Sequence, residues 1–211
     1  MKDLVLLVAD KNMQATLRGI LARPQAMGIK EISYDIRVHP GRDGGSRTSG
    51  AAILAVEYRR FHHALLIFDL VGSGARTSDP VALENELEES LDIQWQSRAK
   101  AIVIAPELDT WLWGADSALQ EVFRWPLDES IRHWLLARGF QFDAHGKPAQ
   151  PKEALEALVR IHRQARSSAL YEKVAGKLSL KRCHDAAFVR MRSQLRQWFV
   201  AARDGRPRPS S

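Results

Sequence analysis

Leu4-Val-Leu-Leu-Val-Ala9, followed at once by Asp10-Lys-Asn-Met-Gln-Ala-Thr-Leu-Arg-Gly-Ile-Leu21, is the stretch that decides the fold. An apolar, β-branched run of this length predicts a strand buried on both faces. Met13, Leu17, Ile20 and Leu21 then recur at helical spacing over Asn12 to Ala22, so the chain opens strand then helix. Arg23-Pro24 stops that helix. Ile29 to Val38 alternates as a second strand, running into His39-Pro40. Gly41 to Gly50, with four glycines and several hydroxyl side chains, reads as a flexible loop, and Ala51 to Arg60 as a helix. Ala64 to Phe68 is a third strand. Asp79-Pro80 then opens a helix whose buried stripe is Leu83, Leu87 and Leu91, leaving Glu84, Glu86, Glu88 and Glu89 as a solvated face. Ala101 to Ala105 is the fourth strand, ended by Pro106.

Alternating strands and helices predict an α/β fold with a mostly parallel four-stranded sheet flanked by helices. Beyond Pro106 only helical patterns remain, at 107–113, 117–123, 126–137, 151–165, 168–178 and 184–202. The expected organisation is an α/β domain over residues 1–114, an all-helical C-terminal extension over 115–202 and a flexible basic tail over 203–211.

The 211 residues suffice for one well-buried core. A single cysteine, Cys183, excludes an internal disulfide or a thiolate zinc cage and suits a reducing, cytoplasmic setting. The first apolar run is too short for a membrane span. Residues 1–150 carry 17 basic and 20 acidic side chains, whereas residues 151–211 carry 14 and 5, so the formal charge of +6 belongs to the C-terminal part.

In open α/β sheets ligands bind beyond the carboxyl ends of the strands. Here the first strand runs into Asp10, the third into Asp69, the fourth into Glu107 and Asp109, and the second leads to His39 and Asp43. Each carboxylate alone also reads as a helix cap. Gathered at one edge they would repel unless protons or a hard cation neutralised them, which makes Asp10, Asp69, Glu107 and Asp109 candidate ligands for Mg²⁺, or Mn²⁺ in its place.

The pattern Val8-Ala-Asp-Lys-Asn-Met-Gln-Ala-Thr-Leu-Arg-Gly-Ile-Leu21, with Ile67-Phe-Asp-Leu-Val-Gly-Ser-Gly74, Ile104-Ala-Pro-Glu-Leu-Asp-Thr-Trp-Leu112, Ser167-Ser-Ala-Leu-Tyr-Glu172 and Cys183-His-Asp-Ala-Ala-Phe188, resembles small toprim-like proteins of bacterial phage-defence loci, in particular a component of methylation-associated defence systems. The resemblance implies a toprim-like sheet and Mg²⁺-dependent phosphodiester cleavage. Asp10 would stand near the acidic residue after the first strand. Asp69 would be the first member of an Asp-x-Asp pair whose second position is Val71, so that Glu107, Asp109 or Asp43 completes the set. It also implies other defence-system subunits and DNA as partners. Phospho-accepting receiver domains share the acidic ends of strands one and three; the residues after strand four, Ala105-Pro106, fit them less well.

The expected catalytic residues are Asp10, Asp69 and Glu107, with Asp10 or Glu107 as general base. The rival expectation is a noncatalytic subunit that uses the same fold to bind a partner protein or DNA. Arg192 and Arg196 on the last helix, with Arg203, Arg206 and Arg208 beyond it, form the expected nucleic-acid contact.

Overall fold

The computed structural model describes residues 1–114, 116–126 and 128–201. In chain order the elements are β1 (Lys2–Val8), α1 (Lys11–Leu21), α2 (Pro24–Met27), β2 (Tyr34–Val38), α3 (Arg42–Ala55), β3 (Phe61–Asp69), α4 (Pro80–Trp95) and β4 (Ala99–Ile104). Six helices follow: α5 (Asp109–Leu112), α6 (Asp116–Phe123), α7 (Ile131–Leu136), α8 (Pro151–Ile161), α9 (Ser168–Ala175) and α10 (Ala186–Trp198). The four strands form one sheet in the order β2-β1-β3-β4, and every pairing is parallel. Leu4 to Val8 are fully buried, as a strand covered on both faces must be. Among the described residues no helix is long and apolar enough to cross a membrane.

Three readings of the sequence are corrected. Gly41–Gly50 is not a loop: helix α3 begins at Arg42 and runs through all of the glycines that follow. Each interior glycine costs helix stability, but two of them are required by neighbours. A Cβ on Gly45 would lie 2.4 Å from Cε1 of His39, and one on Gly50 would lie 2.7 Å from Cδ1 of Leu66. Packing of the helix against a ring and against β3 outweighs propensity here.

The second correction concerns α4. Its glutamates are not one solvated face, since Glu84 is only 5% exposed. β4 is a sheet edge, and its outward N–H groups need acceptors. Glu84 accepts from Val103 N–H at 2.7 Å and Glu88 from Ala101 N–H at 3.3 Å. Arg190 of α10 neutralises Glu84 through two bonds of 2.8 and 2.7 Å and also donates to the Val103 carbonyl. Burial raises the Glu84 pKa, and Arg190 opposes that rise. Strand β2 is also shorter than its alternating pattern suggested, beginning at Tyr34.

The helical extension folds back onto the sheet half. Gly19 of α1 lets α9 approach so closely that a Cβ there would meet the Glu172 carbonyl at 2.6 Å. Arg23 donates to the carbonyls of Ala175 and Leu178, and Arg196 to that of Met27. These contacts hold α9 and α10 against the sheet half.

Candidate functional site

Strand order reverses between β1 and β3, which is where a doubly wound sheet opens a crevice at its carboxyl edge. Parallel pairing of Val8 with Val38 and Ile67, and of Asp69 with Ile104, aligns all four strand ends there. A cleft of about 590 Å³ occupies this place, lined by Asp10, Asp43, Asp69, Glu107 and Asp109 and by the cationic side chains of Lys11, Arg42, Lys152 and Arg166.

Backbone N–H groups hold three of these carboxylates, one locally and two across loops. Asp10 caps α1, its Oδ1 accepting from Met13 N–H at 2.8 Å. Asp43, in the first turn of α3, accepts from Asp69 N–H at 2.8 Å. Asp69 in turn accepts from Leu108 N–H at 2.9 Å. The three loops after β2, β3 and β4 are therefore joined in series through carboxylate oxygens.

Crowding shows in the acidities. Burial raises the Asp69 pKa well above the ordinary carboxylate range, and Asp43, Asp10, Asp109 and Glu107 push it further. Asp43 is also raised by burial, with Asp10 adding to the rise. Glu107 is raised by burial and by the neighbouring Asp109. Such a group must take up protons or a cation to become comfortable near neutral pH.

Asp109 differs from the others. It is buried, and both its oxygens accept from Nη2 of Arg166, at 3.1 and 3.0 Å, while Tyr171 Oη donates to Oδ1 at 2.7 Å. Arg166 Nε closes the triangle on the Tyr171 oxygen at 2.8 Å. Burial works against the Arg166 charge, but the Asp109 carboxylate outweighs it and the guanidinium pKa is raised. Asp109 thus sits in the cleft wall with its hydrogen-bonding capacity directed to the helical extension.

His39 also lines the cleft but has a fixed structural job. Its Nδ1 accepts from Gly41 N–H at 2.9 Å, so Nε2 carries the hydrogen and faces Ser49 Oγ at 3.0 Å. Burial lowers its pKa, which keeps the ring neutral. The ring pins the start of α3 and with it Asp43. Arg42 opens that helix at φ 51°, a left-handed conformation costing a residue with a Cβ about 1–2 kcal/mol.

The donor set suits a hard cation. Among the described residues no group of three or more His, Cys, Asp or Glu is drawn together closely enough to hold a metal ion by itself. Mg²⁺, however, is usually bound through one or two carboxylates and keeps waters or takes phosphate oxygens for the rest. Asp69 with either Asp10 or Asp43, oxygen-only donors, fits that mode.

The structure therefore brings Asp10, Asp69, Glu107 and Asp109 to one cleft, together with Asp43, the alternative third member of the set. Sequence reading had no signal for Lys152, Arg166 and Tyr171 as cleft residues, because they arrive from helices far along the chain; Tyr171 lay in a quoted stretch without a role. Arg192 and Arg196 are elsewhere, on α10, where they donate to the carbonyls of Leu180 and Met27. Arg203, Arg206 and Arg208 lie outside the described residues. Gly72-Ser-Gly74 forms a turn in which Ser73 Oγ donates to the Leu70 carbonyl and accepts from Ala75 N–H. Cys183 is a buried free thiol.

Comparison of the chain with protein-family models, with curated proteins and with solved structures finds no match.

Proposed function

We propose that this chain is a Mg²⁺-dependent phosphodiester-cleaving component of a bacterial anti-phage defence system, acting on nucleic acid at the cleft described above. One observation carries the chemical part: carboxylates from separate strand ends converge at the switch point of the sheet inside a rim of four cationic side chains. Its place in phage defence and its partnership with other defence subunits rest on the sequence resemblance, and its cytoplasmic location on the single cysteine.

Asp69, with Asp10 or with Asp43 in the place left by Val71, would hold the cation, waters and phosphate oxygens completing its shell. Bound Mg²⁺, or Mn²⁺, supplies charge stabilisation at the phosphate and lowers the pKa of a nucleophilic water. Lys11, Arg42 and Lys152 draw the phosphate in and fix it by charge. Glu107, half-buried and raised in pKa, would accept a proton from water and return one to the leaving oxygen. Arg166 and Tyr171 hold Asp109 and the wall it belongs to.

A noncatalytic subunit is the second reading, and a specific observation favours it. Val71, 58% exposed, occupies the position where the resemblance calls for a second aspartate, and Asp109 is fully engaged by Arg166 and Tyr171. The deciding experiment is a nuclease assay on DNA and RNA with Mg²⁺ or Mn²⁺, comparing wild type with Asp69→Asn and Glu107→Gln. Metal-dependent cleavage lost in both variants supports the enzyme. Cleavage unchanged in Asp69→Asn rejects this site, and no cleavage by wild type together with a stable partner complex supports the subunit reading.

A further inference from the structure

The two edges of the sheet are finished differently. At β4 the outward N–H groups of Val103 and Ala101 are occupied by Glu84 and Glu88. At β2 the chain supplies no such cover. Ser33 accepts from Leu4 N–H and His39 donates to the Val8 carbonyl, so Ser33, Asp35, Arg37 and His39 turn their backbone groups towards β1. Tyr34, Ile36 and Val38, between them, point their N–H and C=O groups away from the sheet. Among the described residues one of these groups has a partner: the Ile36 carbonyl accepts from Gln14 Nε2 at 2.8 Å and keeps a second lone pair. All five residues of β2 are partly exposed, whereas Leu4 to Val8 of β1 are buried.

An uncovered edge is a template for pairing with another chain, and the sequence of β2 selects which chain. Tyr34-Asp-Ile-Arg-Val38 carries opposite charges on either side of Ile36. A two-fold axis at Ile36 lays the strand antiparallel to its own copy, the arrangement in which one patch is complementary to itself. Tyr34 then faces Val38 of the second copy and Ile36 faces its own counterpart, in pairs whose outward N–H and C=O groups bond to one another. Asp35 faces Arg37 of the second copy, and Arg37 faces Asp35, in the closer pairs where side chains interact most. Moving the register by two residues sets Asp35 against Asp35 or Arg37 against Arg37. Moving it by one sets outward groups against inward ones. Charge and backbone polarity together select a single register.

Both charges have a partner within the chain and keep capacity for another. Asp35 accepts from Lys2 Nζ through Oδ1 at 2.6 Å, leaving Oδ2, and Arg37 donates to Glu57 through Nη1, leaving Nε and Nη2. The two side chains are 33% and 35% exposed.

We propose that β2 is a homodimer interface, through which two copies of this chain join their four-stranded sheets into one continuous sheet across antiparallel β2 strands. With five residues a side the contact is small, so the dimer is a reversible one. Because the paired strands run in opposite directions, the two carboxylate clefts lie at opposite ends of the joined sheet and both stay open.

The test is sedimentation equilibrium of the full chain without metal, with circular dichroism confirming that each variant is folded. Wild type should pass reversibly from monomer to dimer as its concentration rises to about 1 mM. Asp35→Arg and Arg37→Asp each set like charges opposite one another at both symmetric positions, and each should weaken dimerisation about tenfold or more. An equimolar mixture of these two variants should recover it, because one then supplies only cations at the contact and the other only anions. Ile36→Pro removes an outward donor without touching a bond to β1, a change that edge strands tolerate, and should give a folded monomer. It decides the matter if Arg37→Asp, which leaves the buried Glu57 with Arg60 alone, fails to fold. Wild type that stays monomeric throughout, a mixture that associates no better than its components, or undiminished dimerisation of Ile36→Pro overturns the proposal. The readout needs neither Mg²⁺ nor cleavage, so its outcome is independent of the function proposed for the cleft.

Discussion

The backbone N–H of Asp69 donates to Oδ1 of Asp43 at 2.8 Å, so the last residue of β3 is tied to the first turn of α3 by the side chain of a second acid. The bond holds two carboxyls in one crevice although Asp43 raises the pKa of Asp69, and Asp43 is itself raised by burial and by Asp10. Keeping repelling groups together is a cost to the folded state, and it is the cost a cation would relieve.

Replacing Asp69 by asparagine should therefore stabilise the metal-free protein. Asparagine keeps an acceptor for Leu108 N–H and removes the charge from the most crowded position. Thermal unfolding without metal should show a higher Tm, at about 2–4 °C per kcal/mol for a chain of this size. Added Mg²⁺ should raise the wild-type Tm and leave that of the variant nearly unchanged. A lower Tm for Asp69→Asn would contradict the crowding argument.

The same groups set a pH dependence of definite sign. Asp43, Asp69 and Glu107 titrate higher in the folded chain than their ordinary values of 3.8, 3.8 and 4.5. Between those values and the raised ones the folded state binds more protons than the unfolded state. Stability from these groups is thus greatest at the acidic end and declines as pH rises through the window. Urea unfolding across pH 4 to 8 should show this decline in wild type and a flatter profile in Asp69→Asn, since the slope of stability against pH counts the difference in protons bound by the two states.

At the β4 edge, Arg190→Met should destabilise by about 3 kcal/mol, because it strands the buried Glu84 carboxylate without its counter-ion. Adding Glu84→Gln should recover much of the loss, as a neutral amide still offers an oxygen to Val103 N–H. Chemical denaturation of the single and double variants measures the coupling. Additive effects would mean that the pair does not act as a unit.

Gly19→Ala tests how firmly the extension is welded to the sheet half. Alanine alone would favour α1 by about 1 kcal/mol, but its Cβ would press on the Glu172 carbonyl and the Ala175 methyl of α9. Net destabilisation of about 1–3 kcal/mol is expected. A gain in stability on unfolding would show that α9 does not approach α1 so closely.

Much of the sheet half could be read directly. Apolar runs at Leu4 to Val8 and Ala64 to Phe68, with Asp79-Pro80 opening α4, are local patterns, and local patterns set strand, helix and cap. Because every strand is parallel, the residue after each one lies on the same edge, and Asp10, Asp69 and Glu107 could be grouped without coordinates. What the sequence by itself determined is therefore the α/β class and the carboxylate edge. Tertiary structure alone decided that Arg42–Gly50 is helix, since Gly45 and Gly50 serve the ring of His39 and the side chain of Leu66 rather than their own backbone. It alone decided that Glu84 caps an edge strand, and that Arg166 and Tyr171, 57 and 62 residues away from Asp109, engage that carboxylate. Periodicity and propensity act over a few residues, whereas close approach and charge pairing depend on which distant segments packing brings together.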